Sequence, residues 1–191
     1  FPRQSRTIAH TYPVGNHTQA HPDLTQLTAA AVKSEIRTAA THIRAVTGAD
    51  PRPYFRFPFG ARNAATIKLV NQECYVPFRW TVDTLGWKGT EGGMTADKVY
   101  QRVIDALRPG AIVLMHVGGQ SQDAAALPGM ISQLRAKGYR FATVRDFLPA
   151  PHTFPQTGHS LGGRFLDYWE ANGGLAQFGF PLTEPFSERS A

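Results

Sequence analysis

Ala111-Ile112-Val113-Leu114-Met115-His116 is a run of apolar residues closed by a histidine. An unbroken apolar run of this length, entered from the turn Pro109-Gly110, reads as a strand buried on both faces, the kind found inside a parallel sheet. The residues around it decide how such a strand is packed. Upstream, Thr95 can cap a helix whose Val99, Val103, Ile104 and Leu107 share one face, and Pro109-Gly110 ends it. Downstream, Ala124 to Lys137 is a second helix, with Leu127, Met130, Ile131 and Leu134 expected to point inward.

The same alternation runs back toward the start. Thr28 is a candidate N-cap, and Val32, Ile36, Ala39, Ile43 and Val46 recur at helical spacing until Gly48 stops the helix. After the Pro51-Arg52-Pro53 breaker, Tyr54 to Phe57 reads as a short buried strand. A helix over Ala64 to Asn71 and a strand over Phe78 to Val82 follow. Phe141 to Val144 reads as the last strand and Arg145 to Leu148 as a short helical end. Strands taking turns with helices imply an α/β domain with parallel strands and helical crossovers, either an open sheet or a barrel. In both, ligands gather where strands end and loops begin.

Pro149, Pro151 and Pro155 then suggest a stiff linker over 149–155. Residues 156–191 change character, with Phe165-Leu166-Asp167-Tyr168-Trp169 and Phe178-Gly179-Phe180-Pro181, and read as a small separate module. The expected domains are therefore 1–148 and 156–191.

The chain has 191 residues, of which 42% are hydrophobic and 18% charged. That suits one globular domain with an appendage and excludes a disordered chain. No apolar run is long enough to span a membrane, and Phe1 to His10 is polar and basic. The formal charge of +6 is dispersed, which points to a solvated basic surface rather than a nucleic-acid interface. The single cysteine, Cys74, cannot form an intrachain disulfide. Its apolar setting suggests a buried, inert thiol.

Four segments could carry chemistry, each at a strand end or loop. Asn16-His17-Thr18-Gln19-Ala20-His21-Pro22 offers two imidazoles, which suit zinc and similar metals. Gly15 and Pro22 argue for a loop, where the pair could equally be incidental. Arg56-Phe57-Pro58-Phe59-Gly60 begins at a strand end. An arginine there should meet a carboxylate, and the turn could aim a backbone N–H at a developing oxyanion. Trp80-Thr81-Val82-Asp83-Thr84-Leu85-Gly86-Trp87 places a carboxylate after an apolar strand, where a turn cap is the plain alternative. His116 closes the buried strand, as a satisfied core histidine or as a general acid or base.

Together these segments resemble the polysaccharide deacetylases of the NodB-homology type, carbohydrate esterase family four. His17-Thr18-x-x-His21 is similar to the family's H-[S/T]-x-x-H metal motif. Arg56 to Gly60 resembles R-x-P-[aromatic]-G, Asp83 to Trp87 resembles D-x-x-D-W, and Leu114-x-His116 matches L-x-H. The resemblance spans roughly residues 8–148. It implies a distorted (β/α) barrel and hydrolytic removal of acetyl groups from peptidoglycan, chitin-like or xylan-like polymer. It also implies a divalent metal on His17 and His21, most often zinc, with cobalt, nickel or manganese as alternatives. Arg56 would position the catalytic base, the Phe59 N–H would bind the oxyanion, and Leu114 with Trp87 would line the acetyl pocket. His116 would protonate the leaving group.

Two departures carry expectations of their own. The family's T-F-D-D motif, which supplies the base and a metal ligand, should lie several dozen residues before His17. Only sixteen residues precede His17, and no Asp-Asp pair occurs. The expectation is a barrel lacking its first strand, inactive as it stands or reduced to a non-catalytic carbohydrate- or wall-binding relative. The second aspartate of D-x-x-D-W, implied to support the catalytic histidine, is Gly86, which leaves Asp83 for that work. The tail resembles the LGFP-type repeats of secreted wall-associated proteins, implying an extracellular or wall-associated chain.

Overall fold

The computed structural model describes residues 2–148 and 150–181 and divides the chain into two compact units, 1–141 and 142–191. The first unit opens with helix α1 (Pro2–Thr11), a segment for which the sequence pattern predicts no element. Helix α2 (Ala29–Thr47) follows. Thr28 caps it by accepting from the Ala31 N–H, and Gly48 ends it in the left-handed conformation at φ 74°, as the spacing predicts. Strand β1 (Tyr54–Phe55), helix α3 (Ala64–Gln72) and strand β2 (Val76–Pro77) make one parallel crossover. Strand β3 (Val82–Asp83), helix α4 (Ala96–Asp105) and strand β4 (Val113–Leu114) make a second. Helix α5 (Asp123–Ala136) closes the unit.

Parallel strands with helical crossovers are thus present, but each strand is only two residues long. Among the described residues the first unit holds two separate two-stranded sheets, β1-β2 and β3-β4, extended by a parallel bridge from Asn16 to Phe55. The expected strand over Phe78 to Val82 is replaced by two shorter ones, on either side of residues 78–81. Pro77 has no N–H to continue a ladder.

Each sheet has its own core. Leu24, Val32, Ile36, Phe55 and Val70 are at most 2% exposed beneath β1 and β2. Val99 and Val103 are fully buried beneath β3 and β4, with Met130 and Leu134 from α5. Truncating Phe55 to alanine would cost about 3–5 kcal/mol, because the gap left among such neighbours cannot close fully.

Three expectations about packing are corrected. The inward stripe of α5 is Asp123, Ala126, Met130 and Leu134, and Leu127 is 40% exposed. The helix is turned so that Asp123, its first residue, reaches the end of β4. Cys74 is exposed rather than buried. It takes the left-handed position after α3, at φ 64°, so that the next residue, Tyr75, enters the core at 3% exposure. Phe141 to Val144 is not a strand. The Thr143 N–H and hydroxyl bond to Asp146, which turns 144–147 into a short 3-10 helix.

The second unit starts before the expected linker and contains it. Strand β5 (His152–Phe154) pairs antiparallel with β6 (His159–Leu161) across a tight turn. Residues His152–Phe154 of the expected linker are therefore one strand of a hairpin. Helices α6 (Gly163–Ala171) and α7 (Gly174–Phe178) follow. Phe154, 4% exposed, packs against the Trp169 ring at 5.1 Å, and the indole N–H donates to the Gly179 carbonyl. Residues 182–191 of the expected module lie outside the described residues.

Candidate functional site

The loop carrying the two histidines is built on buried polar groups. Asn16 is 1% exposed, and its amide nitrogen donates to the Ile36 carbonyl at 2.8 Å and to the Tyr75 hydroxyl at 3.1 Å. Its amide oxygen accepts the Thr18 N–H at 2.9 Å. Its main chain joins the edge of β1, donating to Tyr54 and accepting from Arg56. From α2, the Glu35 carboxylate accepts the N–H groups of Gln19 and Ala20 at 2.9 and 2.8 Å. Thr18 and His21 stand at φ 68° and 58°, so the segment is the loop that Gly15 and Pro22 suggest. The sequence pattern does not single out Asn16 and Glu35 as supports for this loop. An asparagine directly before His17 is the only local hint.

The result is that the His17 and His21 rings meet edge to face with centroids 4.8 Å apart. The Phe59 ring stands 4.6 Å from His21 on its other side. His17 Nδ1 lies 2.7 Å from the Arg56 carbonyl oxygen. A carbonyl only accepts, so Nδ1 carries the hydrogen and Nε2 keeps a lone pair. A ligating histidine is oriented in this way. Burial is the largest influence on its proton affinity and brings the pKa down to about 4; charges on Arg56, His21 and His116 act in the same direction, and the hydrogen bond to Arg56 opposes them. His17 is therefore neutral near pH 7, the state in which imidazole binds metal.

Arg56 leaves β1 half-buried. Burial lowers its pKa, and the Asp83 charge opposes that. Asp83 is thus near enough to act on Arg56 by charge, though no direct ion pair joins the two among the described residues. Phe59 sits in the following turn in the left-handed conformation, φ 57°, with its side chain 70% exposed.

On the second sheet, β3 and β4 are in register so that Asp83 pairs with Leu114. That places His116, two residues further on, beside the Asp83 carboxylate, with Nε2 to Oδ1 at 2.9 Å. Asp83 also accepts the Leu85 N–H at 2.8 Å, so it is both a turn cap and the histidine's partner. The Trp87 ring, 52% exposed, lies 6.5 Å from the His116 ring. Leu114 is 7% exposed on β4. One further carboxylate carries no signal in the sequence pattern. Asp123, 2% exposed at the start of α5, accepts the His116 N–H through Oδ2.

The eight residues expected at a site therefore gather into two clusters, His17, His21, Arg56 and Phe59 on one and Asp83, Trp87, Leu114 and His116 on the other. His116 influences His17, and Asp83 influences Arg56, so the clusters are neighbours. Among the described residues no group of three or more His, Cys, Asp or Glu is placed to hold a metal together. A cleft of ≈ 460 Å³ at the start of β3, lined by Arg79, Trp80 and Arg102, touches the site through Asp83.

Residues 2–77 match the family model for polysaccharide deacetylases. A chitooligosaccharide deacetylase from Bradyrhizobium sp. is 32% identical over 148 residues, covering 70% of this chain and 65% of the relative. Over about three quarters of its length the chain is similar to polysaccharide deacetylases. A peptidoglycan-N-acetylglucosamine deacetylase from Bacillus cereus is 30% identical over 148 residues, covering 75% of this chain and 52% of that protein. The chain spans about half the length of the curated relatives it first matches. Among solved structures of the deacetylase family, the carbohydrate esterase PdaA of Bacillus subtilis superposes with a TM-score of 0.69 at 29% identity, over 76% of this chain and 62% of that one. A family pseudoenzyme from Bacillus anthracis gives 0.68 at 30% identity, over 76% and 50%. The fold is accordingly the α/β fold of this family. Among the described residues no helix is long and apolar enough to cross a membrane.

Proposed function

We propose that the chain takes part in the metal-dependent hydrolysis of acetyl groups on a polysaccharide outside the cell, with peptidoglycan or a chitin-like polymer as the substrate class and xylan-like polymer as the alternative. The observation that carries this is the His116–Asp83 pair at 2.9 Å, set beside a neutral His17 whose Nε2 is left to ligate. His17 and His21 would hold a divalent ion, zinc by the chemistry of an imidazole pair, with cobalt, nickel or manganese able to replace it. When bound, such an ion would polarise the acetyl carbonyl and bring the pKa of water down to about 7.

The protein's own groups do the rest. Nε2–H of His116 donates to Asp83, which fixes the ring and leaves Nδ1 to hold the proton that the departing nitrogen or oxygen takes. The Asp83 charge steadies the imidazolium before that transfer. Arg56 adds a fixed positive charge where a catalytic base would be held. The turn at Phe59 supplies a backbone N–H for the tetrahedral oxyanion. Leu114 and Trp87 form an apolar wall against the acetyl methyl. The two parallel strand pairs would be parts of a distorted barrel, and the second unit a wall-contacting module of LGFP type.

A catalytic zinc takes about three protein ligands, and His17 with His21 are two. Among the described residues no third ligand joins them, and no base carboxylate is assigned. That favours a second reading, a non-catalytic carbohydrate- or wall-binding relative of these enzymes; a pseudoenzyme from Bacillus anthracis is among the similar structures. Calorimetric titration with zinc tests the shared premise. Binding should weaken at least tenfold in His17→Gln and in His21→Gln. Equal binding by all three chains would end the metal assignment. If an N-acetylglucosamine oligomer binds and is recovered intact with zinc present, the non-catalytic reading holds.

A further inference from the structure

Gly86 stands where the D-x-x-D-W pattern has its second aspartate, and nothing in its backbone requires glycine, since its φ is outside the left-handed region. What requires glycine is space. A Cβ added at Gly86 would lie 2.1 Å from Asp123 Oδ1, 2.5 Å from its Cγ and 2.8 Å from its Oδ2. Contacts that short do not occur, so a side chain at 86 and the Asp123 carboxylate exclude each other.

The position of Oδ2 is informative. It is the atom that accepts the His116 N–H. At 2.8 Å from the Cβ position of residue 86, it lies at a distance comparable to that of an aspartate's own oxygen from its Cβ. Asp123 therefore delivers from the start of α5 the carboxylate that the pattern delivers from the turn after β3. Oδ1, buried against Gly86, accepts no hydrogen bond among the described residues. The neighbours of Asp123 complete a clamp on both segments. The Ser121 hydroxyl donates to the His116 carbonyl at 3.0 Å, and the Gln122 N–H donates to the Gly86 carbonyl at 3.1 Å.

We infer that Asp123 is a positioning residue for His116, a carboxylate that fills the space a side chain at position 86 would take. Asp83 holds the ring of His116, Asp123 holds its main chain, and Gly86 is the space that allows it. A charged acceptor on a buried N–H is stronger than a neutral one, so Asp123 fixes where β4 ends and hence where the imidazole meets Asp83. The catalytic meaning of this clamp rests on the proposed role of His116. The placement itself can be tested without substrate.

The experiment is NMR of the full chain with 15N label, following the His116 amide and ring nitrogens, alongside thermal melting. Asp123→Ala should move the His116 amide upfield and shift the ring signals. Asp123→Asn should keep both near wild type, because its amide oxygen can accept the same N–H. Gly86→Asp alone should melt well below wild type. The double substitution Gly86→Asp with Asp123→Gly should recover the His116 signals and melt above the Gly86→Asp single. Should Asp123→Ala not fold, the asparagine and double variants still test the placement. His116 signals that stay put in Asp123→Ala would overturn the inference, as would a double variant no better than its singles combined. Acetate release, assayed on the same wild-type sample, tests the deacetylase reading separately.

Discussion

Lowering the pH from 7 to 5 should weaken this protein through one residue, His17. Its pKa is about 4 in the folded chain against 6.5 for a free imidazole. Between those values the unfolded chain binds the proton and the folded chain does not, so stability falls as pH falls through 6.5 and levels off below 4. The gap of about 2.5 units corresponds to about 3 kcal/mol in full, of which about 2 kcal/mol has developed by pH 5. With a urea m-value of about 2 kcal/mol/M, that moves the unfolding midpoint by about 1 M. The assay is urea unfolding at pH 7, 6 and 5, with a chelator present, for wild type and His17→Gln. The substitution also loses the hydrogen bond to Arg56, but that loss is the same at each pH. Wild type should therefore lose about 2 kcal/mol more than His17→Gln between pH 7 and 5. Parallel pH profiles for the two chains would refute the claim that burial keeps His17 neutral.

Three other outcomes follow. Asn16→Ala should cost about 1–3 kcal/mol, since the Tyr75 hydroxyl and the Ile36 carbonyl lose a buried partner, and should weaken zinc binding by freeing the His17 loop; a melt and a zinc titration check both. Val99→Ala should lower the melting temperature, at about 1–3 kcal/mol, with no effect on metal binding, because its fully buried side chain lies in the core beneath β3 and β4. Burial raises the Asp50 pKa, but its hydrogen bonds to Arg52 and the charges of Arg52 and Arg44 outweigh that and leave it at about 2. Stability from this cluster is present above pH 3.8 and lost as pH falls toward 2, a window separate from that of His17, so Asp50→Asn should flatten the melting curve only below pH 4.

The two kinds of signal in the sequence differed in reach. Capped amphipathic helices were legible because their information is local: Thr28, Gly48 and Thr95 act within a few residues of themselves. Strand limits were not, because two-residue pairings such as Val82 with Val113 depend on partners some thirty residues away. The hydrophobic run Phe141 to Val144 misled for a related reason, since a single side-chain bond from Thr143 to Asp146 turned it away from a strand. At the candidate site, the motif order singled out eight residues of the two clusters but not Asn16, Glu35 or Asp123. It could not show that Asp83 reaches His116, which follows from the register of β3 on β4. Asp123 was invisible, since an acidic residue opening a helix usually signals nothing more than a favourable helix dipole. Only the space beside Gly86 reveals its second role.

The most direct measurement is acetate release from acetylated chito-oligosaccharide and from peptidoglycan, with added zinc or cobalt, by wild type, His116→Ala and Asp83→Asn. The account predicts release by the wild-type chain, its abolition in His116→Ala and a large reduction in Asp83→Asn. A folded, zinc-binding wild-type chain that releases no acetate from either polymer would contradict the hydrolytic reading and leave the non-catalytic one.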